Sequence, residues 1–156
     1  VMQSASPMLE KPVWEEFYPG DGYVDWIGFS YWKGTVPADA PAYRFAERHD
    51  KPLFIAESTP RGFLTPEADG ESLWRDWFLP YFEVIESNPR IKAISYINAN
   101  WESQPMWEVG TTGTDPGKRW GDSRIEANQE LAEKWLETMS GARYLHGPVH
   151  SDPPGM

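Results

Sequence analysis

A parallel α/β sheet of the barrel type is predicted for this 156-residue sequence. Three features point to it. Short apolar strand segments alternate with amphipathic helical segments, which implies parallel pairing by crossovers. Strand starts fall near residues 24, 52 and 91, far enough apart for a helix to fit between them. Polar and aromatic residues gather just beyond the strand segments, where a barrel keeps its chemistry. Doubly wound sheets share this rhythm, but no Gly-rich phosphate turn follows any strand here, which weakens a dinucleotide reading.

Along the chain, Val1 to Ser6 reads as the end of a strand running into a loop, with no initiator Met before it, so a piece of a longer protein is expected. The first full strand is Val24 to Tyr31, reached through the turn Pro19-Gly20-Asp21-Gly22. A short helix over Ala38 to His49 places Ala42, Phe45 and Ala46 on one face. The second strand is Pro52 to Glu57. The stronger helix, Glu71 to Ser87, repeats Leu73, Trp77, Tyr81, Val84 and Ile85 at helical spacing, and Pro80 should kink it or open a turn. The third strand is Ile91 to Asn98. The last helix, Arg124 to Met139, carries Ile125, Leu131, Ala132, Trp135 and Leu136 as a stripe, and Gly141 stops it. One folded unit over 1–146 is expected, with a loose Pro/Gly tail over 147–156.

Composition narrows the function. Aromatics make up 15% of the chain, nine of them Trp. Such rings bury large areas in a core and also stack on the apolar faces of sugars. The net charge of −10, without a Lys/Arg run, argues against nucleic acid as partner. No apolar run is long enough to span a membrane. The absence of Cys removes disulfides, thiolate catalysis and Cys-ligated zinc. No metal or cofactor site is expected: His49, His146 and His150 lie at a helix end and in the tail, away from strand tips. Ser4, Ser30 and Ser58 lack the Gly context of a nucleophile elbow.

Glu57 is the first candidate for chemistry. It ends the run Leu53-Phe54-Ile55-Ala56, and strict alternation puts it on the face of Leu53 and Ile55. A carboxylate at a strand end can attack an anomeric carbon or take a proton, and it can equally serve as a cap or ion-pair partner. Tyr31 and Trp32 close the neighbouring strand. The Tyr31 phenol can orient a carboxylate, or both rings can cover the rim. Trp101, beyond the third strand, can floor a pyranose site or pack at the rim. Asn98 and Asn100 can donate to sugar hydroxyls or satisfy loop backbone.

Several stretches together resemble the second half of glycoside hydrolase family 26 and its clan A relatives, the family of β-mannanases. Tyr18-Pro19-Gly20-Asp21-Gly22-Tyr23-Val24-Asp25-Trp26-Ile27-Gly28 resembles the lead into barrel strand six. Lys51-Pro52-Leu53-Phe54-Ile55-Ala56-Glu57-Ser58 resembles strand seven, ending in the nucleophile. Ile91 to Trp101 resembles strand eight and its sugar-stacking Trp, and Trp120-Gly121-Asp122-Ser123-Arg124-Ile125 the approach to the last helix. The match covers roughly residues 1 to 140. It implies a (β/α)8 TIM barrel, present here from the end of strand five through helix eight, and a retaining glycosidase acting on β-mannan or a related β-glycan. It also implies Glu57 as nucleophile, Tyr31 as its hydrogen-bond partner, and Trp101, Trp32 and Asn98 as substrate contacts. The family's acid/base Glu ends strand four, ahead of Val1. The expected partners are therefore an oligo- or polysaccharide and either a missing N-terminal barrel half or a second copy of the chain, in a secreted or extracytoplasmic parent protein. The opposing expectation is a carbohydrate-binding or structural barrel remnant without catalysis.

Overall fold

The computed structural model describes residues 1–9, 13–105 and 120–146; the tail predicted over 147–156 lies outside the described residues. Strands β1 (Met2–Ser4), β2 (Ile27–Tyr31), β3 (Leu53–Ser58) and β4 (Ile91–Ile94) form one sheet in that order, and each neighbouring pair is parallel. Helical segments α1 (Val13–Phe17), α2 (Pro41–Arg48), α3 (Gly70–Leu73), α4 (Leu79–Ser87) and α5 (Gln129–Met139) lie between and after the strands. This is the parallel α/β arrangement that the alternation predicts. Among the described residues no helix is long and apolar enough to cross a membrane.

The register assigns each side chain to a face. Met2, Ile27, Leu53 and Ile91 stand side by side, as do Phe29, Ile55 and Ile94. Ile27, Phe29, Leu53 and Ile55 are fully buried in the core beneath the helices. Gln3, Gly28, Phe54 and Ala93 occupy the opposite face. There Gln3 is exposed, and Phe54 and Ala93 are half-buried. The face of Leu53 and Ile55, to which strict alternation assigns Glu57, is thus the helix-covered face.

Much of the aromatic surplus fills the layer between sheet and helices. Trp77 stacks on Tyr81 at 5.1 Å, Tyr31 meets both rings, and Phe78, Phe82, Tyr96 and Trp135 continue the cluster toward α5. At the other end Trp14 of α1 stacks on Phe45 of α2 at 5.4 Å. Each buried ring of this kind removes about 150–250 Å² from water.

Local chemistry explains where the elements stop. Pro41 opens α2, where its missing N–H has no cost. The segment predicted as one helix over 71–87 is three joined pieces. Asp69 caps α3 by accepting from the Ser72 N–H at 3.2 Å, and a π-helical turn, Trp74–Phe78, leads into α4. Within that turn the Leu79 N–H reaches back five residues to the Trp74 carbonyl. The wider turn relieves the clash that the Pro80 ring would make with the carbonyl four residues earlier. Strand β4 ends at Ile94 rather than Asn98; beyond it Ser95 N still donates to Ile55 O and Ile97 N to Ser58 O, while Ser58 donates to Ser95 O and the Ser123 hydroxyl is shared between Ile97 O and Ala99 O.

Candidate functional site

Strict alternation along β3 would pair Glu57 with Tyr31 and turn it toward the helices. The structure instead contains a bulge. After Phe29↔Ile55 the register slips by one, so that Ser30 pairs with Glu57 and Tyr31 with Ser58, and Ala56 is the surplus residue. Glu57 therefore lies at the carboxyl end of β3 on the open face, opposite to Leu53 and Ile55. The shift in face follows from the bulge, a device that re-aims side chains. Ser58, by the same slip, points into the helical layer, where its hydroxyl is hydrogen-bonded with Tyr81 Oη at 3.0 Å.

Three adjacent strands contribute to the surroundings of the carboxylate. Ser30 Oγ donates to Glu57 Oε2 at 2.7 Å, Gln3 Nε2 donates to the same oxygen at 3.1 Å, and Gln3 Nε2 also donates to Ser30 Oγ at 3.1 Å. The glutamine must reach over β2, since strands lie about 4.8 Å apart. Its neighbour in register is Gly28, which presents no side chain in the way. A Cβ on Gly28 would meet Val1 Cγ1 at 3.0 Å and Gln3 Cβ at 3.3 Å.

Tyr31 does not approach Glu57. It is 2% exposed on the helix side, its hydroxyl donates to Gly34 O at 2.7 Å, and burial pushes its phenol above the ordinary value. The bulge that turns Glu57 to the open face is what separates the pair. Asn98 is also committed elsewhere. Its Oδ1 accepts from the Ile125 N–H at 2.7 Å and its Nδ2 donates to Glu126 at 2.7 Å, pinning the approach to α5. The amide ties backbone together where a sugar contact was expected.

Trp32 and Trp101 do come together, through a third ring. Trp120 stands edge-on to Trp32 at 5.4 Å and tilted against Trp101 at 5.1 Å, so three indoles run from the carboxyl end of β2 to the segment after β4. Trp32 is fastened by its Nε1–H to Ala5 O at 3.1 Å. The Arg61 guanidinium, four residues beyond Glu57, lies 4.4 Å over the Trp120 ring. Trp32, Trp101 and Trp120 are each half-buried.

The segment carrying Trp120 is threaded between the loops after β3 and β4. Gly62 N donates to Trp120 O, Asp122 N to Phe63 O, Thr65 N to Asp122 O, Trp101 N to Gly121 O and Ser123 N to Ala99 O. Asp122, nearly buried, receives a forked contact from Arg124, with Nη2 at 2.7 Å and Nε at 3.0 Å. Burial opposes ionisation of this carboxyl, but the hydrogen bonds and charge of Arg124 outweigh it and hold the group below the usual carboxylate range. Sequence reasoning missed Gln3, Ser30 and Arg61 as members of the site. Arg61 and Trp120 are 59 positions apart, and only the threaded segment brings them together.

Chemically, the arrangement offers a carboxylate on an open face with one oxygen held, beside a row of indoles at the same end of the sheet. A carboxylate so placed can act as nucleophile or base, and indole faces suit sugar rings.

No protein-family model matches the chain. The chain is 35% identical to a β-1,3-xylanase (TXYA) of a Vibrio species, over 87% of its own length and 32% of that protein. It is 34% identical to a β-1,3-xylanase of an Alcaligenes species, over 83% of its length and 31% of the relative. The chain thus spans 31–32% of the length of these curated relatives. Both relatives are named for β-1,3-xylan, and neither name points to family 26 or to mannan.

Proposed function

We propose that this chain carries the nucleophile side of a retaining glycoside hydrolase that cleaves β-1,3-linked xylan or a closely related β-glycan, as part of a longer polypeptide. The observation that carries the reading is Glu57, at the carboxyl end of a parallel strand, turned to the open face by the bulge and hydrogen-bonded there by Ser30 and Gln3. The 35% identity to a named β-1,3-xylanase supports β-1,3-xylan ahead of mannan as the substrate class.

In this reading Glu57 attacks the anomeric carbon as the glycosidic C–O bond breaks. The leaving oxygen takes a proton from a carboxylic acid on the remainder of the polypeptide. That group, as its conjugate base, then draws a proton from the water that releases the sugar from Glu57. The sheet is read as one arc of a (β/α)8 barrel. Its parallel strands follow chain order, the strand residues on one face are buried beneath helices, and Gln3 and Phe54 on the other retain exposure. An extended polysaccharide cannot enter a cell, so an extracytoplasmic location goes with this function.

The test is hydrolysis by the longer protein that contains the chain, measured as reducing ends released from β-1,3-xylan and from β-mannan. Cleavage of xylan that Glu57→Gln reduces by about a thousandfold or more is expected, on the scale of losing a covalent nucleophile. Preference for mannan would move the substrate class, and undiminished turnover by Glu57→Gln would remove Glu57 from the mechanism.

A further inference from the structure

Resting on the reading of Glu57 as nucleophile, we infer that Ser30 and Gln3 are positioning residues that assign different tasks to the two carboxylate oxygens: Oε2 is held and Oε1 is the oxygen that reacts. Both hydrogen bonds to the carboxylate end on Oε2, at 2.7 Å from Ser30 and 3.1 Å from Gln3. Among the described residues none donates to Oε1. A carboxylate fixed through one oxygen keeps its plane and torsion while the other oxygen meets the substrate.

The direction of the Ser30 hydroxyl is itself determined. A serine has one proton to give, whereas the Gln3 amide has two. Gln3 Nε2 donates to Ser30 Oγ at 3.1 Å, which makes that oxygen an acceptor on one side and leaves its proton to point at Glu57. Such a chain polarises along its length, so that the short Ser30 contact is strengthened by the longer Gln3 one. Ser30 is 1% exposed, so water cannot take its place without a rearrangement. Each part comes from a different strand: Gln3 from β1, Ser30 from β2 and Glu57 from β3. Gly28 leaves the path over β2 clear, and the bulge at Ala56 brings Glu57 opposite Ser30 rather than Tyr31. The arrangement resists rotation of the carboxylate because the groups that hold it stand on two strands joined to β3 through two backbone ladders.

The role differs from simple packing in what it predicts. A positioning residue changes the rate of the step after binding, whereas a structural one changes stability or affinity. In the longer protein, Ser30→Ala is expected to lower kcat on β-1,3-xylan by roughly 10- to 100-fold, the size of a hydrogen bond to a charged group, with KM nearly unchanged. Ser30→Thr, which keeps the hydroxyl, should recover most of the loss. Gln3→Met should give a smaller fall in kcat, and it carries the same test if Ser30→Ala does not fold, since Gln3 is exposed. Glu57→Gln is measured alongside. If it is inactive while both other variants turn over like wild type, the positioning role is overturned and the nucleophile stands. If Ser30→Ala raises KM or lowers the melting temperature with kcat intact, the role is structural and the inference fails. If Glu57→Gln remains active, the reading beneath it fails as well.

Discussion

Gly121 lies so close to Phe63 that a Cβ at position 121 would overlap the Phe63 carbonyl oxygen, and its φ of +83° belongs to the left-handed region. Both conditions admit only glycine. The close approach lets Asp122 N donate to Phe63 O at 2.9 Å and delivers Trp120 to its place between Trp32 and Trp101. Gly121→Ala should therefore destabilise the fold by about 2–4 kcal/mol, combining backbone strain with displacement of the threaded segment. A denaturant titration reads this directly, and a midpoint equal to wild type would mean the segment can shift without cost.

The three indoles should contribute to sugar affinity. Trp101→Ala, made in a Glu57→Gln background that prevents turnover, should weaken binding of a xylo-oligosaccharide by about 1–3 kcal/mol, the scale of losing a large apolar contact. Calorimetry showing unchanged affinity with a lowered melting temperature would make Trp101 a packing partner of Trp120 alone.

Asn98 makes the opposite prediction. Because both ends of its amide bind within the chain, Asn98→Ala should cost about 1–3 kcal/mol in stability and leave sugar affinity unaltered. A loss of affinity at wild-type stability would return Asn98 to the substrate site.

Acid should weaken the fold through Asp122 and Glu126. Arg124 lowers the Asp122 carboxyl against the effect of burial, and the Asn98 hydrogen bond lowers that of Glu126. A carboxyl with a lower pKa in the folded than in the unfolded state contributes stability above its unfolded value, near 3.9–4.3, and loses it as pH falls through the folded value. Melting temperature should thus decline on acidification below about pH 4. Asp122→Asn should flatten that decline, and an unaltered acid slope would place the sensitivity elsewhere.

The sequence revealed the parallel α/β rhythm because apolar runs such as Leu53 to Ala56 and the stripe Leu73, Trp77, Tyr81 keep distinct periods. It marked Glu57, Trp32 and Trp101 because strand ends collect polar and aromatic residues. It misjudged faces, since period-two counting assumes an unbroken ladder and the surplus residue Ala56 leaves no compositional trace. The family resemblance pairs Tyr31 with Glu57, and the slip in register parts them. Asn98 looked available because its partners, Ile125 and Glu126, arrive from 27 and 28 positions away. Gln3 and Ser30 are ordinary residues whose role comes from register across three strands, which one-dimensional patterns do not encode. Pro80 signalled a disturbance correctly, although the chain absorbs it in a widened turn and continues helically.

The surplus residue in β3 has a consequence for how curvature and aim are separated. A strand lacking Ala56 would, by plain alternation, still bring Glu57 opposite Ser30 and Ser58 opposite Tyr31. Phase alone therefore does not require the extra residue; what it adds is a bend and a local increase in twist at the last step before the carboxylate. Deleting Ala56 would leave every side chain on its present face while straightening the approach of Glu57. The result would be a protein whose core is undisturbed and whose carboxylate points along a slightly different line. Orientation of the Glu57 carboxylate could then be varied by chain length at one position, without altering Glu57, Ser30 or Gln3.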